Sequence, residues 1–347
     1  MSNIIINKRK IDNKHRPYIV AELSANHDGS IKKALKSIYY AKKCGADAIK
    51  FQTYTPDTIT LNSNKKSFRI MKGNWKGYNL YNLYLKAHTP FEWHEELFNY
   101  SKEIGITCFS TPFDETAVEL LEKLNSPAYK ISSFEIVDIP LITLIAKTKK
   151  PIILSTGMAS YKDIDLAVKN IKKYHNKIIL LYCVSGYPTP LEELNLFSMI
   201  DLKKRYNLQI GLSDHSKGLL APIIATSLGA SLIEKHFTID KKDKGPDSFF
   251  SITKEELEAL CIDTKKTWLA IGGKKDKKVK KIEKEHYKFR RSLYVTKDIK
   301  KGELFSKDNI KSVRPGDGIH PKFFDKIIGK KAKKNLYKFN PLTKKDF

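Results

Sequence analysis

Two histidines close consecutive β-type segments, His215 in "GLSDHS" and His236 in "EKHFTID", with an apolar stretch of helical pattern between them. Neutral imidazole ligates divalent metals. Two imidazoles at neighbouring strand ends can share one ion and leave its other positions to water and substrate, as a Lewis-acid role requires. No thiolate accompanies them, so Mn²⁺ or Mg²⁺ is expected rather than structural zinc. The alternative is a pair of hydrogen-bonded histidines at a rim. A second set combines Lys50 and Lys130 with Thr111, Ser133, Ser155, Ser185 and Ser213. Two buried ammonium groups without anions are costly, so this set suits a phosphate and a carboxylate. Glu22, Glu135, Glu234 and Asp247 are candidates for proton transfer and hydroxyl binding. Phe113 and Tyr187 suit a sugar ring, or equally the core.

These residues sit at the ends of otherwise apolar segments. "YIVAEL", "DAIKFQTY", "ITCFSTPF", "AYKISSFE", "PIILSTGM", "IILLYCVSGYP", "LQIGLSDH" and "SLIEKHFTI" read as strands, each followed by a helical pattern. In the helix after the first strand, Ile31, Ala34, Leu35, Ile38 and Ala41 share one face. Strands apolar throughout and alternating with helices indicate a parallel sheet covered on both sides. Eight such units between about residues 18 and 272 point to a (β/α)₈ TIM barrel, an α/β fold whose C-terminal mouth gathers catalytic groups. A doubly wound open sheet is the alternative, but no G-x-G-x-x-G follows the first strand. Strand-end polar residues such as Ser110, Thr156, Asp214 and Lys235 are expected at that mouth with the candidates above.

The insertion after strand two, "TPDTITLNSNKKSFRIMKGNWKGYNLYNLYLKAH", lies on the active-site side and is placed to cover substrate. The domain reading is a catalytic barrel over 1–275, a charged linker over 276–289 and a small C-terminal domain over 290–347. In that tail "KDIKKGELFSKDNI" is echoed by "KNLYKFNPLTKKDF" at an offset of 37 residues, with Ser306 and Thr343 as candidate caps.

The net charge of +26 raises nucleic acid as a partner. Only seven of the 64 basic residues are Arg, and the lysines are spread over nearly every helical segment. Recognition surfaces favour Arg for its bidentate geometry, so no specific nucleic acid is expected. The start meets charged residues too early for a signal peptide, no run has the apolar length of a membrane span, and four scattered cysteines fit a reducing compartment. A cytoplasmic protein without a membrane partner is expected.

The motifs "AELSANHDGS", "KFQTYTPDT", "FSTPFDETAV", "YKISSFEI", "LSTGMAS", "GLSDHS", "EKHFTID" and "GPD" resemble those of the sialic acid synthase family. "RRSLYVTKDIKKGELF" and "VRPGDGIHP" resemble the antifreeze-like (SAF) domain that follows the barrel in that family. "AELSANH", "LYLKAHTPFEWHEELF" and "SSFEI" are most like its pseudaminic acid branch, while Asp28 and "CVSGYP" depart from the common pattern.

The resemblance implies a metal-dependent condensation of phosphoenolpyruvate with a diacetamido deoxy sugar and water, releasing phosphate. It implies that His215 and His236 hold the metal, and that the Lys50–Lys130 set holds phosphoenolpyruvate. Gln52, Phe113, Tyr187 and Asp247 would then contact the sugar, with Arg314 reaching in from the tail of a partner chain in a domain-swapped homodimer. Glu135 would orient or deprotonate the water, and Glu22 would manage protons at the aldehyde. Competing expectations are another phosphoenolpyruvate-condensing barrel, a synthase of the N-acetylneuraminate or legionaminic acid type, a metal-dependent hydrolase and an RNA-binding protein.

Overall fold

The computed structural model describes residues 3–242, 245–272 and 278–347. Contacts divide the chain into two compact units, Met1–Gly273 and Lys274–Phe347. The expected boundary at 275/276 lies outside the described residues.

A short antiparallel hairpin, β1 (Ile4–Ile6) with β2 (Arg9–Ile11), opens the first unit. Eight parallel strands follow: β3 (Tyr18–Glu22), β4 (Ala48–Thr53), β5 (Thr107–Pro112), β6 (Tyr129–Ile131), β7 (Ile152–Ser155), β8 (Ile178–Cys183), β9 (Gln209–Asp214) and β10 (Leu232–His236). They close into a barrel in chain order, with β10 paired to β3. Each matches one of the eight expected segments. The hairpin is a difference: its strands are three residues long, too short to show a period. Its Ile4, Ile6 and Ile11 join one core cluster with Tyr18, Val20, Ala48, Phe109, Ile153, Ile179 and Leu232.

Side chains alternate across each strand. Ile19, Ala21, Ile49, Phe51, Ile152, Leu154, Ile178, Leu180 and Ile233 face the helices in the larger cluster. The helix Ile31–Lys43 buries Ala34, Ile38 and Ala41 there and is capped by Ser30, whose side chain accepts from the Lys33 N–H. Rows of the other parity run from apolar residues to polar ones: Val20 then Glu22, Ala48 then Lys50 then Gln52, Phe109 then Thr111, Ile153 then Ser155. Those polar ends form the site.

The second unit pairs β11 (Ser292–Val295) with β12 (Ile310–Val313) antiparallel. Bridge Ile299↔Leu336 joins the two copies of the repeat, flanked by Tyr294↔Pro341 and Leu304↔Lys331. The echoed positions make the same turn. Ser306 donates its N–H to Asn309 Oδ1 at 2.8 Å, and Thr343 donates to Asp346 Oδ2 at 2.6 Å. Leu293, Ile299, Phe305, Ile310, Leu336 and Leu342 form its core.

Candidate active site

Parallel pairing sets Glu22 level with Lys50 on one side and with His236 on the other. The Glu22 carboxylate lies 2.6 Å from Lys50 Nζ. Glu234 stands 3.7 Å from Lys50 and 3.8 Å from Lys130. Gln52 Nε2 donates to Glu22 at 3.1 Å, Lys50 to Thr111 Oγ1 at 3.0 Å, Lys130 to the Ile131 carbonyl at 3.0 Å and Ser213 Oγ to Glu234 at 3.1 Å. The expectation of two ammonium groups awaiting an anion is therefore revised. Two carboxylates already stand beside them, because register brings together groups that the sequence places on separate strands. A buried set of this kind is tolerable only when paired and hydrogen-bonded.

The two carboxylates are driven apart. Burial pushes Glu22 up to about 7; Lys50 opposes this and Glu234 adds to it. Burial acts on Glu234 too, but Lys130, Lys50 and the Ser213 hydroxyl outweigh it and the net direction is down. Burial lowers Lys130, and Lys50 lowers it further against the pull of Glu234. Such a split marks one group that keeps a proton and one that stays ionised.

Next to Lys130 is a cradle of small polar groups. The Gly157 N–H donates to Ser133 Oγ at 3.1 Å. A Cβ at Gly157 would sit 2.3 Å from Ser185 Oγ and 2.8 Å from Ser133 Oγ, so only glycine leaves this space open. The hydroxyls of Ser155 and Ser185 are buried and have no hydrogen-bond partner among the described residues. Unsatisfied buried hydroxyls are costly and suit an anionic ligand that accepts from them.

The histidine rings lie 5.4 Å apart between centroids. His215 Nδ1 is 3.0 Å from the Val184 carbonyl, which fixes a tautomer with Nε2 free to ligate. Burial, then His215 and Lys50, holds His236 well below its usual range, so it is neutral. Its buried Nδ1 has no hydrogen-bond partner among the described residues and lies 3.9 Å from Asp247. Burial lowers His215, but Cys183, whose Sγ lies 3.8 Å from its Nδ1, outweighs it and the net direction is up, so a cysteine does accompany the pair against expectation. The neutral His236 beside Asp247, with the His215 ring next to it, fits a divalent ion. No group of three or more His, Cys, Asp or Glu side chains forms a metal site among the described residues.

Asp247 accepts from Ser24 Oγ at 2.5 Å, and Gln52 donates to the same Ser24 at 2.9 Å, so both belong to the Glu22 network. Burial raises Asp247, against the Ser24 hydroxyl. Tyr187 lies tilted over His215 at 4.3 Å, and Phe250 packs on His236 at 4.7 Å. Phe113 packs on Tyr54 at 5.1 Å. Glu135 opens a single 3₁₀ turn after β6, takes a hydrogen bond from Ser132 and is raised by burial against that bond and Lys130. Arg314 follows β12 in the second unit, in a turn where the Gly316 N–H donates to Lys288.

Four strand-end residues expected at the mouth lie elsewhere. Asp214 and Lys235 form a buried ion pair, with Lys235 also donating to the Ser216 carbonyl. Ser110 bonds Thr53, and Thr156 donates to the Leu181 carbonyl. Ser110, Asp214 and Lys235 have the opposite strand parity to the site residues. Ser24, Gly157 and Phe250 are site residues that the sequence reading missed. A glycine just past an apolar strand end was the available signal for Gly157.

The NeuB family model matches residues 37–276, and the SAF domain model matches 290–347. Pseudaminic acid synthase of Campylobacter jejuni is 48% identical over 332 residues, covering 95% of this chain and 96% of that protein. N,N'-diacetyllegionaminic acid synthase of Campylobacter jejuni is 38% identical, covering 94% and 98%. The solved N-acetylneuraminic acid synthetase of Leptospira borgpetersenii, in complex with citrate, superposes with a TM-score of 0.74 at 33% identity, covering 82% of this chain and 95% of that one.

Proposed function

The chain belongs to the NeuB family, and from that premise we propose that it condenses phosphoenolpyruvate with 2,4-diacetamido-2,4,6-trideoxy-β-L-altropyranose and water, giving pseudaminic acid and phosphate. The observation that carries the chemistry is one barrel interior holding two lysines, two unpartnered serine hydroxyls and a histidine pair. The sugar branch rests on 48% identity to a pseudaminic acid synthase against 38% to a legionaminic acid synthase.

In this reading Lys50, Lys130, Ser133, Ser155, Ser185 and Ser213 take the phosphate and carboxylate of phosphoenolpyruvate. His215 and His236 hold a divalent ion, Mn²⁺ or Mg²⁺, which when bound polarises the sugar aldehyde. The methylene carbon of phosphoenolpyruvate bonds to the aldehyde carbon, and Glu22, the group that keeps its proton, supplies it to the aldehyde oxygen. Water adds at the cationic carbon and gives up a proton to Glu135. The new hydroxyl of the tetrahedral adduct then gives up its proton and closes to the ketone as the carbon–oxygen bond to phosphate breaks, and phosphate leaves with that proton. Gln52, Phe113, Tyr187 and Asp247 orient the sugar, and Glu234 holds the two lysines in place.

The finer assembly is part of the same proposal. Arg314 serves the barrel of a second copy in a domain-swapped homodimer, where its planar guanidinium can give a bidentate pair to acetamido or hydroxyl oxygens. Four free, buried cysteines suit the reducing cytoplasm. No helix among the described residues is long and apolar enough to cross a membrane.

Phosphate release measured across a panel of acetamido sugars tests the reading. The diacetamido trideoxy altrose should give the highest kcat/KM. Preference for N-acetylmannosamine or for the legionaminic acid precursor would overturn the sugar assignment.

A further inference from the structure

The insertion after β4 folds into an arm. Arg69 bridges Asn79 antiparallel, the Ile70 and Tyr78 backbones pair, and the Gly77 N–H returns to the Ile70 carbonyl. The tip carries Asn74 and Trp75. Most of residues 61–78 are exposed and none is buried, so the arm has little core of its own. At the tip, Trp75 Nε1 donates to the Pro246 carbonyl at 2.9 Å, and Asn74 Nδ2 donates to the Tyr187 carbonyl at 2.6 Å. The Trp75 ring meets Tyr187 at 5.6 Å and Phe249 at 6.0 Å, both edge-on. Tyr187 in turn covers His215.

From this geometry we infer that Trp75 is a positioning and specificity residue: it latches the arm over the histidine pair and completes an apolar wall that favours a methyl-bearing sugar over its hydroxylated counterpart. The inference rests on the proposed condensation for its substrate. The only polar atom of the indole is taken by Pro246, so the ring offers carbon surface alone. Tyr187, Phe249 and Phe250 continue that surface beside the imidazoles. A sugar held there meets C–H and π faces, which suit a deoxy carbon. A hydroxyl placed against those ring faces loses its water without gaining a partner from them.

Trp75→Ala and Trp75→Phe test this with two readouts. The arm contains five exposed tryptic sites, Lys65, Lys66, Arg69, Lys72 and Lys76, so nicking there reports how often the tip is released. Trp75→Ala should speed nicking about tenfold, with Trp75→Phe in between, because it removes the ring contacts and one of the two hydrogen bonds that tether the tip, leaving only that of Asn74. In turnover, Trp75→Ala should raise KM for the sugar about tenfold and leave KM for phosphoenolpyruvate unchanged. The preference for the 6-deoxy sugar over its 6-hydroxy analogue, about 10–10²-fold for an apolar pocket, should fall toward unity. Wild-type nicking with wild-type sugar KM would overturn the inference, as would a parallel rise in both KM values. If the wild-type protein prefers another acetamido sugar, the proposed substrate fails, and the latch is judged on nicking and on KM for that sugar.

Discussion

Glu22 and Lys50 face each other across adjacent strands, carboxylate to ammonium at 2.6 Å, with Glu234 3.7 Å from the same lysine. An incoming dianion must therefore share Lys50 with two carboxylates. Protonating Glu22, whose burial holds it near 7, frees the lysine and adds one positive charge to the interior. In the proposed assignment, anion binding is thus linked to the protonation of Glu22.

Phosphoenolpyruvate should accordingly bind more tightly as Glu22 gains its proton. Below pH 7 Glu22 is mostly neutral and above it mostly ionised, so KM for phosphoenolpyruvate should rise as pH increases through about 7. Glu22→Gln is neutral throughout, so the difference between wild type and variant should appear only on the alkaline side. Parallel KM–pH curves for the two proteins would remove Glu22 from this role.

Glu135→Gln should retain the fold and phosphoenolpyruvate affinity while turnover drops ~10²–10⁴-fold, the scale of a lost general base. Isothermal titration and steady-state phosphate release separate the two quantities. Normal turnover would hand water activation to another carboxylate.

Gly157→Ala places a methyl 2.3 Å from Ser185 Oγ and 2.8 Å from Ser133 Oγ, where the cradle is open. KM for phosphoenolpyruvate should rise tenfold or more, by order of magnitude for a displaced binding group, with the thermal midpoint lowered by only a few degrees. An unchanged KM would show that the phosphate lies elsewhere.

Chelation should abolish phosphate release, and Mn²⁺ or Mg²⁺ should restore it, because only two imidazoles are offered and the remaining positions are exchangeable. His215→Ala/His236→Ala should lose the bound-Mn²⁺ signal in electron paramagnetic resonance. Full activity of that variant after metal stripping would dismiss the assignment.

Mixing Arg314→Ala chains with His236→Ala chains tests the swapped tail. If each tail serves its partner, a mixed dimer carries both lesions in one mouth and leaves the other intact. Activity that neither parent shows should therefore return on mixing. No recovery in a verified mixed dimer would mean that each chain uses its own tail.

Eight apolar strand segments alternating with helices made the closed barrel legible before any coordinates, since both faces of each strand are buried and composition alone reports that. His215 and His236 stand at the ends of consecutive strands as the pattern predicts, because strand-end position is a local property. The hairpin of β1 and β2 was not legible: three-residue strands carry no period, and Ile4, Ile6 and Ile11 are buried only because the barrel interior receives them. Asp214 and Lys235 looked like active-site groups for want of parity information, and they pair with each other instead.

Local pattern, a property of neighbouring residues, thus determined the fold class, the strand ends and the types of side chain available for chemistry. Which of those side chains meet was decided by register and barrel closure, which couple residues far apart in the chain. Glu22 touches Lys50 and Glu234 reaches both lysines only because β3 lies between β4 and β10. The pairing of the lysines with Glu22 and Glu234, which shifts two chemically identical carboxylates in opposite directions, follows from distance and burial. Those quantities exist only once the sheet has closed on itself.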